Sequence, residues 1–488
     1  MSSDLQNIKS GIFWKTISTG LNALAGFLTS IVLARFLGKD SYGELILVYT
    51  VISLFMIFSN FGMQATLQRF IPLYIKMKGE EKAGSFIMIS AGLGILFAAA
   101  FSAIMFITAD ITATKIFHNP SLALYIRWGT LYLFALSFLT NIVFSIYYGY
   151  EKWREECLLN GAYLFLSFFA VFASLAVFKG GILDIIRINA AACIMGAAGG
   201  VFYISRFMKF VRRELRFEEI ASQAKEALSF SAPLFINGLL FYFITQFDKV
   251  FMGVYRPTAE LAQYYVAFSI GTAVVLLIKV SETVLTPYLA KFTGSKDEII
   301  KDKFQIIFRL FLHLSIILCI GLYFLIDPFV RFAYGPNFEI AISALKIYLI
   351  IIILRAAMTP IGIFLVNVYG KTVEIAKIGA ISGIIHLILF QALIPEHGYT
   401  GALAAAIIAY VIIWLYIILA VKEIKRIVPY KSLLYAGAGC AGVVGLGCAA
   451  KALNIYNRPL LFIILPLVYL IFALLKEKIS LKEIKDAI

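Results

Sequence analysis

Inside the apolar run 232–255, the stretch ITQFDKVFMG (244–253) sets Asp248 beside Lys249. An ionised group in such a run costs a few kcal/mol unless it finds a partner, a cavity or an anion. Neighbouring helical residues point about 100° apart, so the two side chains are expected not to face each other. Lys249 is long enough to snorkel outward past Tyr255, whereas Asp248 is too short to do so. Asp248 shares a face with Thr245, Phe241 and Asn237, either as an inward polar line or beside a partner on a neighbouring helix. Lys279 and Glu282, at i and i+3, share a helix face and can pair. Arg355 lies about fifteen residues into its own apolar run, which at about 1.5 Å per residue places it near the midplane of a bilayer. A guanidinium stays charged and holds phosphate or carboxylate as a bidentate fork, so the chemistry on offer is anion binding. Arg35 and Arg69 sit near the ends of their runs, as do Arg127 and Arg309, which are expected to snorkel to the interface. Asn60, Gln64 and Gln68 fall at i, i+4 and i+8, and Ser137, Asn141, Ser145 and Tyr148 share another face. Lipid rejects such stripes, which therefore either line a cavity or hydrogen-bond adjacent helices.

Other familiar chemistries find no residues to carry them. The four histidines, His118, His313, His386 and His397, lack ligand spacing, and no Ser/His/Asp set or carboxylate pair falls in an accessible loop. No catalytic residue, metal site or cofactor is expected. GAGCAG (437–442) has the spacing of a dinucleotide loop but lies mid-run without a preceding strand. Its Gly437 and Ala441, continued by Gly445, are expected to form a small-residue packing face. GKT (370–372) cannot end a phosphate-binding loop, because Leu365 stands where the first glycine is needed. The five cysteines lie in or beside apolar runs and read as small hydrophobes, with no disulfide framework.

The elements that must position these groups follow from composition. Of 488 residues, 61% are apolar and 15% charged, and the mean hydropathy is +0.90. One soluble core cannot hide that much apolar surface, whereas lipid accepts helices of about 20 apolar residues. Fourteen runs of that length are expected, joined by connections too short for a soluble catalytic domain. The first, after a short polar start, reads as a retained span. With the N-terminus inside, 27 lysines and arginines fall on the inner side and 9 on the outer, the bias that orients membrane proteins. Both termini are thus expected in the cytoplasm, and the net charge of +15 is a topology signal, not a nucleic-acid patch.

The halves also repeat. At an offset of 215, Phe36 meets Phe251, Pro72 meets Pro287 and Gly79 meets Gly294; at 219, Tyr150 meets Tyr369, Lys152 meets Lys371 and Glu155 meets Glu374. An even number of spans per copy makes the repeats parallel. The expected architecture is all-α integral membrane: an N-lobe at 1–208, an amphipathic linker on the cytoplasmic surface at 209–228, a C-lobe at 229–425, and two further helices with a basic tail at 426–488.

At this point the residues resemble a known family. LARFLGKDSYGEL (33–45) is similar to the motif ending the first helix of polysaccharide-transport flippases. FDKVFMG (247–253) resembles their seventh-helix signature, and FAYGPNFEIAISALKI (332–347) the entry to their tenth. These Wzx-like, O-antigen-unit flippases belong to the multidrug/oligosaccharidyl-lipid/polysaccharide exporter superfamily. The resemblance implies two lobes around a central, often cationic cavity and alternating-access transport of polyprenyl-diphosphate-linked oligosaccharide across the plasma membrane. On that reading Arg355, Lys279, Lys249, Arg35, Arg69, Asn60, Gln64 and Gln68 contact substrate, and Asp248 and Glu282 couple ions or pair structurally. The partners implied are the lipid-linked oligosaccharide, membrane lipid, an H+ or Na+ gradient and polysaccharide-assembly proteins. The rival readings are a multidrug-type exporter of the same superfamily, a membrane glycosyltransferase or polymerase, and a non-transporting assembly scaffold.

Overall fold

A peptide group in hydrocarbon must satisfy its N–H and C=O internally, which leaves helices as the solution for apolar runs of this length. The computed structural model describes residues 2–208, 216–290, 292, 294–452 and 458–477; within these, the side chains of 2–9, 276–288, 290, 448, 450–452 and 458–459 lie outside the description. The described residues form sixteen α-helices and no strand. In chain order these are α1 (Ser2–Asn60), α2 (Met63–Lys78), α3 (Glu80–Ile111), α4 (Leu122–Ser137), α5 (Phe144–Gly149), α6 (Trp153–Ala176), α7 (Ile182–Ile204) and α8 (Phe217–Thr245). There follow α9 (Phe247–Tyr255), α10 (Thr258–Ala290), α11 (Asp297–Ala333), α12 (Glu339–Asn367), α13 (Thr372–Ala420), α14 (Lys422–Ile427), α15 (Tyr430–Ala452) and α16 (Arg458–Glu477). Two π-helical turns, Thr112–Ile116 and Phe138–Val143, follow α3 and α4.

Ten stretches of the described chain are long and apolar enough to cross a membrane. Two of these, Ser10–Lys78 and Thr372–Ala420, are interrupted by glycines in positive-φ conformations, Gly38 (φ 72°) and Gly398 (φ 56°), and so supply two crossings each. With α10 and α15 the expected fourteen crossings are present. This is a multi-pass membrane protein.

The chain divides into two compact units, Met1–Ala262 and Gln263–Ile488. The division does not fall at the expected linker. Residues 217–228 are the opening turns of α8, which continues into the seventh crossing. They are tied down by polar contacts: Tyr74 Oη donates to Glu226 Oε2 (2.5 Å) and Gln223 Nε2 to Ser85 Oγ (3.3 Å). Residues 209–215 lie outside the described residues. The first unit packs around Leu67, Ile71, Leu139, Ile142 and Tyr147. The second packs around Phe304, Phe308, Phe364 and Trp414, and α16 joins that core through Leu461, Leu465 and Tyr469.

The expected small-residue face is not where α15 meets α16. Gly437 and Gly445 have open space around them, and Ala441 is exposed. Gly439, on another side of the same helix, is the residue pressed against Tyr469 and Phe472.

Candidate functional site

The polar stripe of the second crossing is not carried by one helix. The chain breaks at Phe61 (φ 41°) and Gly62 (φ 75°). Glycine is needed at 62 twice over: its φ is positive, and a Cβ there would run into the backbone of Ser231 on α8. Asn60 Oδ1 accepts from the Gln64 backbone N–H at 3.1 Å, and Asn60 Nδ2 approaches Gln64 Oε1 at 3.5 Å. The break opens a cavity of about 230 Å³, lined on one side by Asn60, Gln64 and Gln68 and on the other by Leu234, Phe235 and Gly238 of α8. Phe235 is stacked on Phe61, ring centroids 4.7 Å apart and 22° between planes. Arg69 is exposed and lies over the Phe230 ring at 4.5 Å.

The seventh crossing is also broken. Gln246 (φ −133°, ψ −19°) separates α8 from α9. At that break Lys249 folds back: its Nζ donates to Thr245 O (3.2 Å), Gln246 Oε1 (2.9 Å) and Asp248 Oδ1 (3.4 Å). One expectation is corrected here and one option closed. Asp248 and Lys249 do pair, because a long lysine stem spans the angle between adjacent positions. Lys249 does not reach outward, being 2% exposed, with Asp248 at 6%. The line Asp248–Thr245–Phe241 is likewise interrupted at Gln246, and Phe241 is exposed. The ammonium supplies the free carbonyl of Thr245 and the carboxylate with donors that the interrupted helix lacks.

The fourth-crossing stripe bonds to neighbouring helices at its two ends only; between them Asn141 Nδ2 and Ser145 Oγ are buried without a hydrogen-bond partner among the described residues. Ser59 Oγ donates to Ser137 Oγ (2.6 Å), and Lys15 Nζ donates to Tyr148 Oη (2.5 Å). The intervening π-helical turn, Phe138–Val143, shifts the register that the regular spacing assumed. Arg309 does not snorkel; its Nε contacts Glu477 Oε2 (3.2 Å), and the same carboxylate meets His313 Nε2 (3.3 Å). His313 Nδ1 lies 2.9 Å from Tyr469 Oη. Arg127 meets Asp110 at 2.5 Å, both side chains being exposed. Glu477 was invisible as a structural group in the sequence, where it sits in a basic tail.

Arg355 is half-buried in α12, where Thr359 Oγ1 donates to its backbone carbonyl (3.2 Å). Arg35 is exposed three residues before Gly38. The side chains of Lys279 and Glu282 lie outside the described residues. The first unit thus brings Asn60, Gln64 and Gln68 together around one cavity, and Asp248 and Lys249 together at one break.

The profile of a single protein family, described as polysaccharide biosynthesis protein, matches residues 8–293. The chain belongs to that family. Among solved structures, this family member is similar to the lipid II flippase MurJ in an inward-closed conformation, at 18% identity and a TM-score of 0.76, covering 96% of this chain and 99% of that one. It is also similar to an inward-facing multidrug-resistance transporter of the MATE family (12% identity, TM-score 0.63, 83% and 95% covered). A MOP-superfamily transporter from Pyrococcus furiosus, described with a binding pocket of reversed polarity, matches at 13% identity and TM-score 0.56 (86% and 95% covered). Likeness at these identities establishes that the chain shares their fold. No curated protein matches the chain by sequence.

Proposed function

We propose that this family member is a flippase that carries polyprenyl-diphosphate-linked oligosaccharide across the cytoplasmic membrane by alternating access, for surface polysaccharide assembly. It is a transporter and not an enzyme. The observation that carries the reading is the amide-lined cavity at the broken second crossing, a polar site with room for a ligand inside a spanning unit. Membership of a polysaccharide biosynthesis family and the likeness to a lipid II flippase support it. Guanidinium groups at Arg35, Arg69 and Arg355, with Lys279, would take the diphosphate. Lys249, spent on Asp248 and on the backbone of its own break, would shape the path and leave the phosphate to the others. Coupling to H+ or Na+, contacts with polysaccharide-assembly proteins, and cytoplasmic termini, the last resting on the basic-residue bias, belong to the same proposal. The likeness to a multidrug-resistance transporter favours the second reading, an exporter of lipophilic drugs.

One reconstitution separates the two. Proteoliposomes holding lipid-linked oligosaccharide should expose its inner-leaflet share to an external glycosidase only when the protein is present, and Arg355→Ala should abolish this while Arg355→Lys retains part. Export of lipophilic cations by wild-type protein that leaves the lipid-linked oligosaccharide unmoved would favour the exporter.

A further inference from the structure

The chemistry of the cavity at the second crossing says more than that a polar ligand enters. Every polar side chain on its lining is a primary amide: Asn60, Gln64 and Gln68. An amide both donates and accepts, which suits a hydroxyl that must do the same. Among the described residues no carboxylate and no cation lines the cavity, and Arg69, next in sequence to Gln68, lies over Phe230 instead. Asn60 and Gln64 are partly engaged with each other, whereas no protein group among the described residues takes the Gln68 amide. Phe235, held by its stack on Phe61, supplies an apolar wall opposite the amides. At a liquid share of about 30 Å³ per water, the 230 Å³ are worth some seven or eight waters, space enough to admit one sugar ring.

We infer that this cavity is a subsite for a single uncharged pyranose of the transported headgroup, with the amides on its hydroxyls and Phe235 against its C–H face. The inference rests on the flippase reading and names the substrate class for it. An acidic sugar would leave its carboxylate partly desolvated among groups that carry no compensating charge, a penalty the neutral ring avoids. A sugar lacking the matching hydroxyls would leave buried amides unpaired.

The test uses the full chain in lipid nanodiscs and three defined lipids: polyprenyl diphosphate bearing one neutral hexose, the same lipid bearing one hexuronic acid, and polyprenyl diphosphate alone. Binding is read by native mass spectrometry. The neutral hexosyl lipid should bind roughly tenfold tighter than either of the others, about one well-made hydrogen-bond set. Gln68→Leu removes an amide that no protein group holds, so folding should be untouched. It should reduce affinity for the neutral hexosyl lipid to near that of the bare lipid and leave the other two unchanged. Equal binding of the hexuronic and neutral lipids by wild-type protein would overturn the inference, as would wild-type affinity of Gln68→Leu for the neutral lipid. Failure of all three lipids to bind would instead overturn the flippase reading on which it stands.

Discussion

The two sequence copies turn their helices at matching places, but with different residues. Positive-φ positions recur as Gly79 (84°) and Gly294 (78°), His118 (53°) and Gly335 (101°), Glu151 (58°) and Gly370 (65°), and Lys179 (51°) and Gly398 (56°). Even the following residues agree: Lys152 and Lys371 open their helices at φ/ψ of −86°/55° and −88°/61°. The second copy uses glycine at all four turns, where the first uses it once. The common backbone plan is therefore set by the lengths of the crossings and tolerates a strained residue at their joints. Where the copies part company, polar groups gather. The first copy breaks its second crossing at Phe61–Gly62, while the corresponding α10 runs unbroken. The second copy breaks its first crossing at Gln246 and buries Lys249 there, while α1 is helical up to Gly38, with Leu33 and Ala34 at the equivalent buried positions. Asymmetry between copies marks the candidate site better than symmetry does.

The largest expected effect tests whether the break at Gln246 depends on its ion pair. Lys249→Ala should leave Asp248 as a buried carboxylate without its ammonium and lower stability by about 3–5 kcal/mol. Adding Asp248→Asn should restore much of the loss, and melting of the single and double variants in detergent measures both. A Lys249→Ala protein as stable as wild type would mean that the break holds itself without the pair.

The next effect belongs to the C-terminal helices, which have no counterpart in the first copy. Glu477→Ala should cost about 2 kcal/mol, the scale of a charge-assisted hydrogen bond, because Arg309 is part-exposed and regains water while His313 is not. Limited proteolysis of the α15–α16 pair should accelerate in parallel.

A smaller effect sharpens the comparison of the joints. Gly370→Ala should cost about 1 kcal/mol, since a Cβ is disfavoured at that φ although the space is open. At the matching joint, Glu151→Gly should change stability by less, because relief of strain is offset by the greater freedom of an unfolded glycine. Equal and large effects at both joints would contradict the shared plan.

The smallest is a pH effect at the joint that follows the second copy. Lys371 donates to Glu423 (2.6 Å), and this bond, then a backbone one, holds the Glu423 carboxyl below the usual carboxylate range. A depressed folded-state value means that the contribution is present above the ordinary carboxylate pKa, near 4.3, and is lost as pH falls through the folded value. The pair is partly exposed, so the loss should stay under about 1 kcal/mol. Melting temperature followed from pH 6 downward should fall slightly less steeply in Lys371→Met than in wild type.

The sequence by itself determined the fourteen crossings, since twenty apolar residues in a row have only one way to satisfy their backbone in lipid. It also determined the joints, because equivalent charged and aromatic residues such as Lys152 and Lys371 recur at them, and it pointed to Asn60, Gln64 and Gln68 as a group. Periodicity could not foresee that these amides straddle a helix break, because regular spacing assumes an unbroken helix. Nor could it foresee that Asp248 meets Lys249, or that Glu477 reaches back 168 residues to Arg309. Those are contacts made by side-chain reach and by local departures from helical geometry. Only the tertiary structure decided them, because a helix's hydrophobic pattern specifies which residues avoid lipid and leaves open what they meet when they do.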